Sequence, residues 1–128
     1  MKILIIDDDK LTLRSLYRVL ETMGHEVFLA ENSEEAIKMI ENQQEGLKEN
    51  YDLIICDIMM PGISGLSMIT VLRSVHLCKI PLIMMSTLTN KQILESLFKL
   101  GANDFISKPI KTEELVAKLE KYSKIKYS

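Results

Sequence analysis

The stretch MKILIIDDD, residues 1–9, decides the fold. Ile3–Ile6 is a short apolar run, fit for a strand buried in a parallel sheet, and it leads straight into Asp7, Asp8 and Asp9. The same arrangement recurs downstream. Leu53–Cys56 leads into Asp57, Leu82–Met85 into Ser86, and Phe105–Ser107 into Lys108. Parallel strands open their carboxyl ends on one edge, and such sheets bind ligands in the crevice beyond that edge. Segments far apart in sequence are therefore predicted to converge on one site. Its carboxylates, hydroxyl and ammonium suit a divalent cation and a phosphoryl group.

Outward from that stretch, strand and helix patterns alternate five times. Leu13, Leu16, Tyr17, Leu20 and Met23 follow the first strand at helical spacing, with Gly24 as the stop. Glu26–Ala30 reads as a second strand. Ser33 is expected to cap a helix carrying Ala36, Ile37 and Ile40, and polar Glu41–Asn50 to form a long surface connection. Pro61, Gly62 and Gly65 read as a loop before a helix around Met68, Ile69 and Leu72. Pro81 opens the fourth strand. Thr89 or Asn90 is expected to cap a helix with Ile93, Leu94, Leu97 and Phe98 on one side, closed near Gly101. Asp104–Ser107 is a short fifth strand, and Lys108-Pro109 is a turn suited to a cis bond. Thr112 is expected to cap a last helix with Glu113 and Glu114 in its first turn and Leu115, Val116 and Leu119 as its buried stripe. Lys118, Lys121, Lys124 and Lys126 fall in or after its later turns, where cations are favoured. Strands alternating with helices imply βαβ units, a parallel sheet and right-handed crossovers.

A chain of 128 residues suits one domain, and 47% hydrophobic with 27% charged residues supports a packed core. The net charge of −2 argues against a dedicated nucleic-acid binder, which needs a concentrated basic face. No apolar run approaches the roughly 20 residues that span a bilayer. The start is no signal peptide, since three aspartates follow a short apolar stretch; the expected location is the cytoplasm. Cys56 and Cys78 lack metal-ligand spacing and read as reduced thiols. His25 and His76 are isolated and read as turn or surface histidines. The basic end, about 121–128, reads as a solvated helix end or a linker.

Three adjacent aspartates repel one another unless a cation sits among them. Asp9 is the one best explained as a helix cap. The remaining hard oxygen donors suit Mg²⁺ with room for water and phosphate oxygens. An aspartate at the end of a buried strand is costly unless paired or metal-bound, and the Asp57 carboxylate can act as a nucleophile toward phosphorus, giving an aspartyl phosphate. That transfer needs charge neutralisation, and Lys108 fits the ammonium role. Ser86 is placed to hydrogen-bond a phosphoryl oxygen.

In IIDDD, DIMMPGISG, MMST and FISKP the chain resembles the response-regulator receiver domain, the flavodoxin-like phosphoacceptor module of two-component signalling, from Met1 to about Tyr122. The resemblance implies a five-stranded parallel sheet of order 2-1-3-4-5 with helices on both faces. It makes Asp57 the phosphoacceptor. It makes Asp7, Asp8, Asp57 and the Met59 backbone carbonyl the Mg²⁺ ligands, with Asp8 direct and Asp7 partly through water. Ser86 becomes the switch hydroxyl, Lys108 the lysine that pairs with the phosphoryl group, and Phe105 the aromatic that swings inward when Ser86 moves. Pro61 and Gly65 match the loop after the acceptor. The implied partners are a sensor histidine kinase or phosphotransfer protein and a downstream protein or output domain; whether the chain forms a homodimer through the fourth-helix, fifth-strand, fifth-helix face is left open by the sequence. The implied role is signalling rather than turnover of an external substrate.

Two departures stand out: Thr87 replaces the very small residue usual after the switch hydroxyl, and Phe105 replaces the frequent tyrosine. Met59 and Leu88, expected to flank an attacking water, are apolar and cannot orient it, which implies slow hydrolysis of the phosphorylated form. A Mg²⁺-dependent aspartyl-phosphate phosphohydrolase is the alternative. It usually needs an acid/base aspartate two residues after its nucleophile, and here that residue is Met59. Asp7–Asp9 would repel the phosphate of a flavin, and the full acidic and basic set argues against a phosphorylation-independent relative. The chain is expected to be a single receiver domain, either standing alone or the N-terminal part of a longer regulator.

Overall fold

The computed structural model describes residues 1–45, 51–59, 64–75, 79–87 and 90–127. Five strands, β1 (Lys2–Ile6), β2 (Glu26–Ala30), β3 (Leu53–Asp57), β4 (Leu82–Ser86) and β5 (Asp104–Ser107), form one parallel sheet in the order β2-β1-β3-β4-β5. The helices are α1 (Lys10–Thr22), α2 (Ser33–Glu45), α3 (Gly65–Thr70, continued as a π-helix over Val71–Val75), α4 (Lys91–Leu100) and α5 (Thr112–Tyr127). The fold is the doubly wound one expected from the alternation.

Successive side chains of a strand point to opposite faces, and here that parity splits the core in two. Leu4, Ile6, Ile54, Cys56, Leu82 and Met84 pack with residues of α2, α3 and α4. Ile3, Ile5, Leu53, Ile55, Ile83, Met85 and Ile106 pack with Leu13, Leu16 and Leu20 of α1 and Leu115, Leu119 and Tyr122 of α5. The strand order reverses direction between β1 and β3, and the helices that follow those two strands leave toward opposite faces. The crevice opens between them, at the topological switch point.

Several local expectations change. α2 is capped by Asn32, not Ser33: Asn32 Oδ1 accepts the Glu35 amide at 2.8 Å, and the Glu35 carboxylate accepts the Glu31 amide in return. Glu41–Glu45 continue α2 rather than forming a connection, since Glu and Gln are good helix formers; residues 46–50 lie outside the described ones. Gly65 is the first residue of α3, capped by Ser64, not a loop residue. Thr112 is already helical, and the Lys111 carbonyl accepts the Leu115 amide, so Lys111 occupies the cap position. Tyr17 and Met23 lie at the exposed margin of α1, and of the apolar residues on α4 only Leu97 is buried. Asn90 caps α4, its Oδ1 accepting the Ile93 amide at 2.9 Å; Thr89, Leu88, Pro61, Gly62, His76 and Cys78 lie outside the described residues. α5 runs to Tyr127 and so takes in Lys118, Lys121, Lys124 and Lys126. The Lys108-Pro109 bond is cis.

α5 is tied to the sheet at the start of β5. Lys118 donates to Asp104 at 2.6 Å, Lys121 lies at 3.5 Å, and the Tyr122 hydroxyl lies 3.2 Å from both Asp104 and the Asn103 carbonyl. Burial and then the Asp104 charge push the Tyr122 phenol up to about 12. Burial acts to raise the Asp104 pKa, but the Lys118 hydrogen bond, the Phe105 amide and the Lys118 charge outweigh it and hold it low. A depressed carboxylate stabilises the fold at pH above its ordinary value, and that contribution is lost as the pH falls through the lowered one. Asp104→Asn should cost about 1–3 kcal/mol at neutral pH and flatten the acid limb of a stability-versus-pH curve. Equal acid sensitivity in both proteins, measured by urea unfolding across pH, would contradict this.

Candidate functional site

The register of the sheet delivers the site one strand at a time. Ile6 pairs with Cys56, which sets Asp7 beside Asp57; Asp57 pairs with Met85, one residue before Ser86; Ser86 pairs with Ser107, one residue before Lys108. Asp57 and Ser86 are the last residues of their strands rather than the first residues beyond them. Asp7, Asp57 and Ser86 are buried, Asp8 is exposed, and Lys108 is largely covered.

Lys108 Nζ donates to Asp7 Oδ2 at 2.7 Å and lies 3.4 Å from Asp57 Oδ2. Its backbone is fixed as well, its amide donating to the Ser86 carbonyl at 2.8 Å. Asp7 is oriented from the other side by the Asp9 amide, which donates to Asp7 Oδ1 at 2.9 Å. Asp9 plays the capping part read for it, accepting from the Leu11 amide and the Thr12 hydroxyl. Those bonds, the Thr12 hydroxyl first, hold its pKa low. Asp57 Oδ1 accepts from the Met59 amide at 3.3 Å. Met59 is 60% exposed and leaves an apolar residue two positions after Asp57.

Burial, then the neighbouring charge of Asp7, raises the Asp57 pKa. For Lys108, burial alone would lower the pKa, but the hydrogen bond to Asp7 and the charges of Asp7 and Asp57 outweigh it and raise it. Burial pushes the Cys56 thiol far up, so beside Asp57 it is an unreactive core residue.

One oxygen from each of Asp7, Asp8 and Asp57 lies within 4.8 Å of the others. Three carboxylates against the single Lys108 ammonium leave two uncompensated negative charges in a partly buried crevice. That excess, carried by hard oxygen donors, fits a divalent cation of the Mg²⁺ kind. Phe105 is half-buried on β5 against the α2/α3/α4 core, beside Met84 in register, and Thr87 is exposed.

Gly65 has a part in this site that its reading as a loop residue missed. Its amide donates to the Ile58 carbonyl at 2.8 Å, and a Cβ there would fall 2.5 Å from Ile58 Cα and 2.6 Å from the Asp57 carbonyl oxygen. Only a residue without a side chain lets α3 start this close to the backbone of Asp57 and Ile58. The sequence signals were a glycine eight residues after Asp57 and its match to the family's loop there, neither of which gives this close approach.

Comparison with known proteins agrees with this geometry. The model of the response regulator receiver domain matches residues 3–120. The transcriptional regulatory protein CrdR of Helicobacter pylori is 30% identical over 121 residues, covering 94% of this chain and 54% of that protein. The chain thus spans about half the length of that relative. A two-component response regulator from Clostridium difficile has a crystal structure 31% identical to this chain, covering 100% of it and 99% of its own chain at a TM-score of 0.84. The chemotaxis protein CheY4 of Vibrio cholerae is 26% identical, with 94% and 97% coverage and a TM-score of 0.83.

A raised carboxylate pKa means that folding disfavours the ionised form, so above the ordinary value charged Asp57 costs stability. Asp57→Asn should therefore melt roughly 2–5 °C higher than the parent protein at neutral pH in chelator. Mg²⁺ should narrow the gap by stabilising the parent. A lower melting temperature for Asp57→Asn in chelator would refute this account of the charge balance.

Proposed function

The chain belongs to the response regulator receiver domain family, and on that premise we propose that it is a phosphoacceptor. An Asp57 carboxylate oxygen attacks the phosphorus of a phosphohistidine on a sensor kinase or phosphotransfer protein, or of a small phosphodonor. The P–O bond to Asp57 forms as the P–N bond to imidazole breaks, and the imidazole keeps the electron pair and takes up a proton. The observation that carries this reading is the Lys108 ammonium held between Asp7 and Asp57.

Asp7, Asp8, Asp57 and the Met59 carbonyl would hold Mg²⁺, which when bound offsets the charge of the phosphoryl oxygens. Lys108 offers its ammonium to a phosphoryl oxygen, and Ser86 its hydroxyl. Both are preorganised by the sheet, so little reorganisation accompanies the transfer. Ser86 and Phe105 then shift together, and the face made by α4, β5 and α5 changes its population toward a form that engages a downstream protein, an output domain or a second copy of the chain. The whole chain acts as one receiver unit in the cytoplasm; among the described residues no helix is long and apolar enough to cross a membrane. A phosphohydrolase acting on external substrates lacks support, since Met59 cannot transfer a proton.

Incubation with Mg²⁺ and acetyl phosphate should add one phosphate to the parent protein and none to Asp57→Asn, read by intact mass. An adduct on both proteins, or on neither, would overturn the assignment. The apolar Met59 cannot orient an attacking water, so the adduct should persist, and Met59→Asn or Met59→Glu should hasten its decay several-fold. Unchanged decay in both variants would remove Met59 from that role.

A further inference from the structure

At the opposite edge of the sheet from the crevice, one arginine joins three elements. α3 continues through Val71–Val75 as a π-helix, a wide turn that occurs mostly as short insertions, often at functional positions. From this turn Arg73 reaches the connection between α4 and β5. Its Nε donates to the Gly101 carbonyl at 3.1 Å, and its Nη2 donates to Asn103 Oδ1 at 2.9 Å. The same Asn103 oxygen accepts the amide of Leu82, where β4 begins, and the Asn103 amide donates back to the Leu82 carbonyl, both at 2.9 Å. One guanidinium thus fastens the end of α4 to α3 and to the base of β4.

Gly101 makes room for this. It closes α4 at φ +121°, a conformation that favours glycine, and a Cβ would fall 2.8 Å from Arg73 Cγ. The start of α4 is held differently. Its cap, Asn90 to Ile93, is local; Lys91 and Gln92 are exposed, Ile93 and Leu94 are half-buried, and the buried anchor Leu97 sits in the last turns. The helix is therefore secured at Leu97–Asn103, while its first turns follow the connection that leaves Ser86.

We propose that Arg73 makes the C-terminal end of α4 the fixed pivot of the switch, so that a change at Ser86 is delivered to the first turns of α4 and stops before Gly101. This rests on the phosphoacceptor reading. Arg73 touches neither the acceptor nor a phosphoryl group; it is a positioning residue.

Backbone amide exchange, measured by NMR on the full chain with Mg²⁺ and with or without the phosphoryl mimic beryllofluoride, tests the pivot. In the parent protein, changes on adding the mimic should be confined to Lys91–Ser96 of α4, leaving Gly101–Asn103 as before. In Arg73→Ala the Ala102 and Asn103 amides should exchange about tenfold faster without any mimic, as expected for lost charge-assisted hydrogen bonds. The mimic-induced changes should then extend to Asn103. Arg73→Lys keeps the charge but lacks the two-pronged fork; it should behave like Arg73→Ala and serves if that variant does not fold. A response along the whole of α4 in the parent, or an unchanged pattern in the variants, would overturn the pivot alone. No response at Asp57 in the parent would overturn the phosphoacceptor reading and the pivot with it.

Discussion

The Lys108 ammonium, 2.7 Å from Asp7 and 3.4 Å from Asp57, is the interaction on which the rest of the molecule's chemistry depends. Without it, three carboxylates would crowd a partly buried crevice with no ammonium to offset their charge. With it, the excess negative charge remains but is reduced to what a divalent ion can balance. Burial, and after it the charge of Asp7, raises the Asp57 pKa. A fold built only for stability would not retain such a cluster, and local rules broken at one edge of an otherwise consistent structure mark a working site.

The crevice exists because of the sheet's parity and order. Alternating side chains divide the core into two layers, and α1 and α3 lie on opposite layers, leaving the carboxyl ends of β1 and β3 uncovered between them. The register then advances the site in single-residue steps, from Asp7 to Asp57 to Ser86 to Lys108. A slip of one residue in any pair would exchange the two faces of that strand. The buried apolar residues on both layers therefore hold the geometry of this site as firmly as they hold the fold.

The two edges of the sheet contrast. The carboxyl edge gathers repelling carboxylates beside the Lys108 ammonium and the buried Ser86. The amino edge is tied down by Asp104 with Lys118 and Tyr122, and by Arg73 with Gly101 and Asn103. Charge-assisted bonds thus hold the base of the sheet, at the edge away from the acidic crevice.

Strand positions, the parallel doubly wound order and the convergence of Asp7, Asp8, Asp57, Ser86 and Lys108 were legible in the sequence, because apolar runs ending in polar groups carry both the strand and its direction. So was the cap formed by Asp9, a short-range effect. What sequence left open or misread were matters of contact between segments. Asn32 displaced Ser33 as a cap because a shift of one residue lets Glu35 answer it. Tyr17, Met23 and Phe98 fit the helical period, yet they lie exposed in the folded chain. Gly65 looked like a loop glycine until the backbone of Ile58 stood 2.5 Å from where its side chain would be. The pairing of Lys108 with Asp7, 101 residues apart, and the reach of Arg73 to Gly101 belong to tertiary structure alone. Periodicity and composition describe what one segment prefers by itself, whereas these distances are set only when the strands have found their register and the helices have closed over them.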